Sequence, residues 1–228
     1  MAAEPFGPMN ALVIAAHPDD ETIGCGGMIA RLVAEGHGVS VLVLTRCSIQ
    51  SRYAIPLDAA TARRRAEFAL ALRRLGVSSP PAFAEFDEIG LATTPQDRIA
   101  GAIERMISVM QPSLVLTHSD GDLNQDHRAA HMATMVAARP SHGVVKRVLC
   151  YSSDPVPWRA LPHARGCVFV DVSNHLAAKM DAAMAYTSEL RPHPSPRSLE
   201  FIEALARLHG AMIGRAAAEV FEVAWEID

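Results

Sequence analysis

The sequence predicts one α/β domain, residues 1–228, built on a largely parallel sheet. Three observations carry that prediction. A continuous apolar run of strand length at 11–16 and largely apolar ones at 39–45 and 113–118 are the mark of strands covered on both faces. Segments with an apolar residue every three or four positions lie between them. Strands and helices alternate along the chain with no internal repeat and no linker-like boundary, and 228 residues suffice for one large domain.

The elements follow in order. ALVIAA (11–16) is the first strand. A polar block, 17–22, follows it, and a glycine-rich turn leads into a helix whose Met28, Ile29 and Leu32 face the core. Gly36 and Gly38 stop that helix. VSVLVLT (39–45) completes a β-α-β unit, whose crossover is right-handed if both strands share a sheet. Residues 46–60 have no period and read as a loop. A helix over 61–77 opens at Thr61 as its cap and buries Ala66, Phe68, Ala69, Leu72 and Leu75. Its arginines at 63–65, 73 and 74 decorate the remaining surface, and an inward-facing member of the set stays open. PAFAEFDE (81–88) is a short strand. The helix over 95–112 repeats Ile99, Ile103, Ile107 and Met110. SLVLTH (113–118) is the third buried strand, and the helix at 129–140 ends before Pro140. A strand at 145–152, a proline-containing loop at 153–164 and a strand at 167–173 come next. Ser173 or Asn174 caps a helix over 175–190, an irregular stretch fills 191–198, and a helix at 199–217 leads to a closing strand at 218–227.

Composition narrows the function. Half of the residues are hydrophobic and only 5% aromatic, so the core is mostly aliphatic. A net charge of −4 and no basic stripe with interleaved aromatics argue against nucleic acid as a partner. No apolar run reaches the ~20 residues of a membrane span, and the first ten residues lack the basic and apolar regions of a signal peptide. Cys25, Cys47, Cys150 and Cys167 form no CxxC pair, which points to free thiols and a cytoplasmic location.

Polar residues gather where the buried strands end, the place where open α/β sheets bind ligands. AHPDDE follows the first strand, TRCS (45–48) the second, and THSDGDLNQDH (117–127) the third. His17, Asp20 and His127 make a three-ligand zinc set with one position left for water. His17 and Asp20 stand three apart in a turn entering a helix, a spacing that aims two side chains at one point. Asp19 lies beside the pair without ligating, as a general base must. The competing reading of HPDDE is an acidic helix N-terminus, which leaves His17 and the second cluster unexplained. His127 and His131, one helical turn apart, also read as surface residues or as a helical metal pair, although HExxH is missing. GCGG lacks the GxGxxG spacing of a dinucleotide loop. Ser48 and Ser51 have no His/Asp arrangement around them. His37, His142 and His163 read as incidental.

AHPDDE and the later TH…DLNQDH together resemble the PIG-L/LmbE-like zinc-dependent N-deacetylases, in the subgroup with a DLNxDH second motif. RRAEFALALRRLGV, AYTSELRPHPSPRS and GAMIGRAAAEVFEV extend the likeness over nearly the whole chain. The resemblance implies a Rossmann-like three-layer fold and removal of an N-acetyl group from an amino sugar or a sugar conjugate, a nucleotide-linked one included. Carried over by position, His17, Asp20 and His127 bind Zn2+, with Fe2+ and other divalent ions chemically acceptable to the same ligands. Asp19 is the general base, and Arg64 contacts the sugar. Asn124 stands where many relatives carry a histidine. Its amide can donate a hydrogen bond to an oxyanion but cannot act as an acid. Asp126 is expected to orient a ligand histidine, and Glu21 to support the site or the helix start. His209 replaces an arginine common in relatives. A zinc amidase on another N-acyl group, and a metal-bearing sugar-binding module without catalysis, are the alternatives. A homo-oligomer stays open.

Overall fold

The protein is described by a computed structural model over residues 9–46, 57–153 and 166–228. The readings of Cys47, Ser48, Ser51, His163 and most of the 153–164 loop lie outside these residues. The elements run β1 (Asn10–Ala15), α1 (Asp20–Ala34), β2 (Gly38–Thr45), α2 (Leu57–Arg74), β3 (Ala82–Phe86), α3 (Gln96–Met110), β4 (Leu114–His118), α4 (Gln125–Ala137), β5 (Arg147–Tyr151), β6 (Cys167–Asp171), α5 (Leu176–Ala183), α6 (Leu199–Met212) and β7 (Ala218–Glu226).

These strands form one seven-stranded sheet in the order β3-β2-β1-β4-β5-β7-β6. β1 to β5 are mutually parallel, and β7 runs antiparallel between β5 and β6. Successive side chains on a strand face opposite ways, so β1 feeds two cores. Val13 joins a cluster with Ile29, Phe68 and Leu72 of α1 and α2. Leu12 and Ile14 join another with Ile99, Ile103 and Ile107 of α3 and Ala130 and Ala133 of α4. Helices thus cover both faces, which explains the largely apolar runs of the central strands. The winding reverses between β1 and β4. Loops leaving two such strands diverge and open a crevice at their C-terminal ends.

Four local readings are corrected by the structure. GCGG is not a turn before α1 but part of the helix, with a kink at Cys25 (φ −145°, ψ 22°). The glycines serve close packing: a Cβ on Gly24 would stand 2.2 Å from the Tyr151 ring. Thr61 does not cap α2, which begins a turn earlier at Leu57. α4 starts at Gln125, capped by the Asn124 side chain that accepts the Asp126 amide N–H, so His127 sits on a helix rather than a loop. α5 stops at Ala183 and starts without a side-chain cap, because the Ser173 hydroxyl donates to Asp171 instead. After α5, Thr187 and Ser188 are held by the Glu67 carboxylate (2.8 and 2.5 Å), which ends the helix in an ordered loop.

Candidate metal centre and its family

The polar block after β1 is fixed by its own backbone. Thr45 at the end of β2 donates its hydroxyl to the Ala16 carbonyl (2.8 Å). His118 Nε2 accepts the Ala16 N–H (2.9 Å). Asp19 then takes φ 111°, a region that L residues avoid, and its carbonyl accepts the N–H groups of Thr22 and Ile23. Asp20 and Glu21 occupy the first turn of α1, where the helix dipole favours carboxylates. The acidic-helix-start reading therefore holds in part, and a more specific arrangement is built on it.

His17, Asp20 and His127 converge at the crevice. His127 Nε2 lies 3.3 Å from His17 Nδ1 and 3.4 Å from Asp20 Oδ1, and His17 Nδ1 lies 3.4 Å from Asp20 Oδ2. Donors on a tetrahedral ion with bonds of about 2.0–2.1 Å stand about 3.3–3.4 Å apart, and each pair of these residues approaches to that distance, Asp20 through Oδ1 toward His127 and through Oδ2 toward His17, with one donor atom of each residue within 4.8 Å of the others. Asp20 Oδ1 is buried without a hydrogen-bond partner, a costly state unless the atom is reserved for a ligand. The residues fit the group. A second set, His118, Asp122 and His127, also lies close together. The His118 and His127 rings are stacked at 4.1 Å and 23°, however, and lone pairs in near-parallel ring planes cannot meet at one point. Asp122 instead accepts His127 Nδ1–H at 2.8 Å.

Each histidine of the first set is thus held from behind by a carboxylate. Asp122 holds His127, and Asp126 accepts His17 Nε2–H at 3.1 Å while also accepting the N–H groups of Ile89 and Leu91. Such partners fix the ring and the nitrogen it presents. Burial pulls the His17 pKa down, but Asp126 and Asp20 outweigh it and bring the group to about 10 in the metal-free protein. His127 is likewise raised, with Asp20 and Asp122 overcoming burial. Burial would raise Asp20, yet His127 and His17 hold it well below the ordinary carboxylate range. His118 is brought down to about 3, first by burial and then by His127, in keeping with a neutral ring that accepts from Ala16.

Asp19 flanks the donor set. Its Oδ2 accepts from Arg197 Nη1 at 2.6 Å, and its Oδ1 is buried with no partner. Burial raises its pKa to about 6 against the pull of Arg197. Arg197 also approaches Glu189 (3.7 Å). Glu189 lies 3.4 Å from Arg64, and Arg64 Nη1 donates to both carboxylate oxygens of Glu88 (2.6 and 2.8 Å). Of the three successive arginines, Arg64 is the one turned inward. Glu21 is fully buried and accepts Tyr186 O–H (2.5 Å), Thr22 O–H (2.6 Å) and the Asp19 N–H (3.1 Å). Asn124 spends its carbonyl oxygen on the Asp126 N–H (2.9 Å). The sequence reading did not include His118, Asp122, Arg197 or Glu88. Asp122, within DLNQDH and five residues before His127, was the one with a local signal.

Residues 12–138 match the family model described as PIG-L, GlcNAc-PI de-N-acetylase. This chain belongs to the GlcNAc-PI de-N-acetylase family. Both motifs that converge at the crevice lie inside the matched segment, and Arg197 lies beyond it. A relative from Saccharopolyspora erythraea, 1D-myo-inositol 2-acetamido-2-deoxy-alpha-D-glucopyranoside deacetylase 1, is 28% identical over 240 aligned positions, covering 81% of this chain and 78% of its own. The crystal structure of a conserved protein from Thermus thermophilus is 28% identical, with a TM-score of 0.76 and 96% of each chain covered. GalB, the 4-carboxy-2-hydroxymuconate hydratase from Pseudomonas putida KT2440, reaches a TM-score of 0.73 at 18% identity over 96% of this chain and 98% of its own. That likeness concerns the fold alone, and it shows that this fold of the de-N-acetylase family also carries other chemistry. Among the described residues, no helix is long and apolar enough to cross a membrane.

Proposed function

We propose that this chain hydrolyses the N-acetyl group of an amino sugar or its conjugate, releasing acetate and the free amine. The observation that carries the reading is the donor triangle of His17, Asp20 and His127 with the free Oδ1 of Asp19 beside it. Zn2+ or a similar divalent ion held there would supply Lewis acidity, acidifying a water and polarising the amide carbonyl. Asp19 takes the proton of the attacking water through Oδ1 while Arg197 anchors Oδ2. Asp19 then returns that proton to the departing nitrogen. The Asn124 NH2 group donates to the oxygen that gains charge. Arg64, kept rigid by Glu88 and Glu189, faces the sugar.

The family match and the deacetylase relative acting on a GlcNAc-containing inositol conjugate support an amino-sugar substrate. A panel of N-acetylated amino sugars and conjugates, assayed for acetate with and without chelator, tests the reading. Metal-dependent release from at least one member is expected. No release from any member by zinc-loaded protein would favour a sugar-binding module.

A further inference from the structure

One buried histidine touches the whole donor set without belonging to it. His118 ends β4 and is fully buried. Its Nε2 accepts the Ala16 N–H at 2.9 Å, so the ring is neutral and carries its proton on Nδ1. Nδ1 is buried with no hydrogen-bond partner. An unpaired buried N–H is costly, and an apolar side chain in its place would avoid that cost.

The ring meets the supports of all three donors. It holds the backbone N–H of Ala16, the residue before His17, while Thr45 of β2 holds the carbonyl of the same residue (2.8 Å). Nε2 also lies 3.4 Å from Asp20 Oδ2, the oxygen that accepts the His17 N–H (2.8 Å). The face of the ring lies against His127, with centroids 4.1 Å apart and planes 23° apart. Tyr151 of β5 fixes the ring in turn. Its own ring stands 4.8 Å away, and its hydroxyl, 3.3 Å from Nε2, donates to the Ile14 carbonyl (2.8 Å).

The direct roles are closed to His118. Its Nε2 lone pair is spent on Ala16, so it neither takes a proton nor joins His127 on an ion. Fully buried, it offers no surface to a substrate. What remains is the placing of its neighbours. Metal ligands reach a productive geometry when packing and hydrogen bonds lock them from behind. Asp122 and Asp126 lock the far nitrogens of His127 and His17. Neither sets the face of the His127 ring or the backbone from which His17 departs.

We propose that His118 is a positioning residue of the metal centre: its ring face orients His127, and its Nε2 fixes the start of the segment that carries His17 and Asp20. This role rests on the metal centre of the deacetylase reading and not on the bond that is hydrolysed. Two variants of the full chain separate the contacts. His118→Phe keeps a ring against His127 and removes the acceptor for Ala16. His118→Gln keeps an acceptor and removes the ring. Zinc affinity, read by competition with a chromophoric chelator, should fall about 10–100-fold in each. Cobalt(II) bound in place of zinc should show a changed visible spectrum, since its bands report donor geometry. Zinc should also raise the melting temperature less in the variants than in the wild type, whereas a merely structural role lowers metal-free and zinc-loaded proteins alike. If His118→Phe does not fold, His118→Gln gives the same readouts. Loss in one variant alone supports the role through the contact which that variant removes. Wild-type zinc affinity and cobalt spectrum in the folded variants overturn the proposal and leave the deacetylase reading standing. Wild-type protein that takes up no zinc overturns both.

Discussion

At Asp19 a left-handed backbone, burial and the Arg197 guanidinium meet in one residue. A φ of this kind costs on the order of 1–3 kcal/mol, and Glu21, accepting the Asp19 N–H, helps to hold it. Asp19→Asn should lower acetate release by about 10²–10⁴-fold with bound zinc unchanged by elemental analysis. Wild-type turnover in the zinc-loaded variant would remove Asp19 as the base. Asp122→Ala frees the back of His127 and should weaken zinc about 10–100-fold in competition with a chromophoric chelator. Unchanged affinity would mean that the Asp122 contact does not orient His127. Glu21 gives a pH test. Burial raises its pKa from 4.5 to about 7 against its hydrogen-bond donors. The folded state therefore binds the Glu21 proton more tightly than the unfolded chain does. The associated stability is complete below about pH 4.5 and is lost as pH rises through about 7. Glu21→Gln should flatten that loss in metal-free protein, by on the order of 2–3 kcal/mol between pH 4.5 and 8. Parallel stability curves for the two proteins would contradict it. The convergence of His17, Asp19, Asp20 and His127 was legible because residue type and spacing mark them. Arg197 was not, since only the folded chain brings it to Asp19, 178 positions away. His118 was hidden by its place at the end of an apolar strand.

The elements were read well where burial alone sets the period, as in β1, β2, β4 and α3, whose bounds differ from the sequence reading by at most two residues. They were misread where a tertiary contact overrides local propensity. Glycines in a row usually break a helix, yet α1 runs through Gly24, Gly26 and Gly27 because the Tyr151 ring and Val172 press against it. Gly24→Ala should raise helix propensity and nevertheless destabilise the protein, by about 1–3 kcal/mol, since its Cβ meets the Tyr151 ring. Thermal unfolding reads this directly, and a higher melting temperature would show that the ring gives way easily. The end of α5 was misjudged for a similar reason: Ala and Met continue a helix on propensity, but Glu67 and Glu21 draw residues 186–188 into a loop.

On the scale of the whole molecule, strand order explains why motifs a hundred residues apart form one centre. β1 and β4 are neighbours at the reversal in winding. His17 leaves one strand and His127 starts the helix after the other, so the crevice between their loops receives both. The alternation of elements made the parallel half of the sheet legible. The position of β7 between β5 and β6 was not, because strand pairing across long separations leaves no local pattern. The central claim is that this crevice holds one divalent ion on which N-deacetylation depends. Zinc added stepwise to chelator-stripped protein, with bound metal and acetate release from an accepted N-acetylated amino sugar followed together, tests it most directly. Activity should rise in proportion to bound zinc up to one equivalent, and His17→Ala and Asp20→Ala should lose both. Acetate release that persists in metal-free protein, or full zinc binding by both variants, would contradict the account.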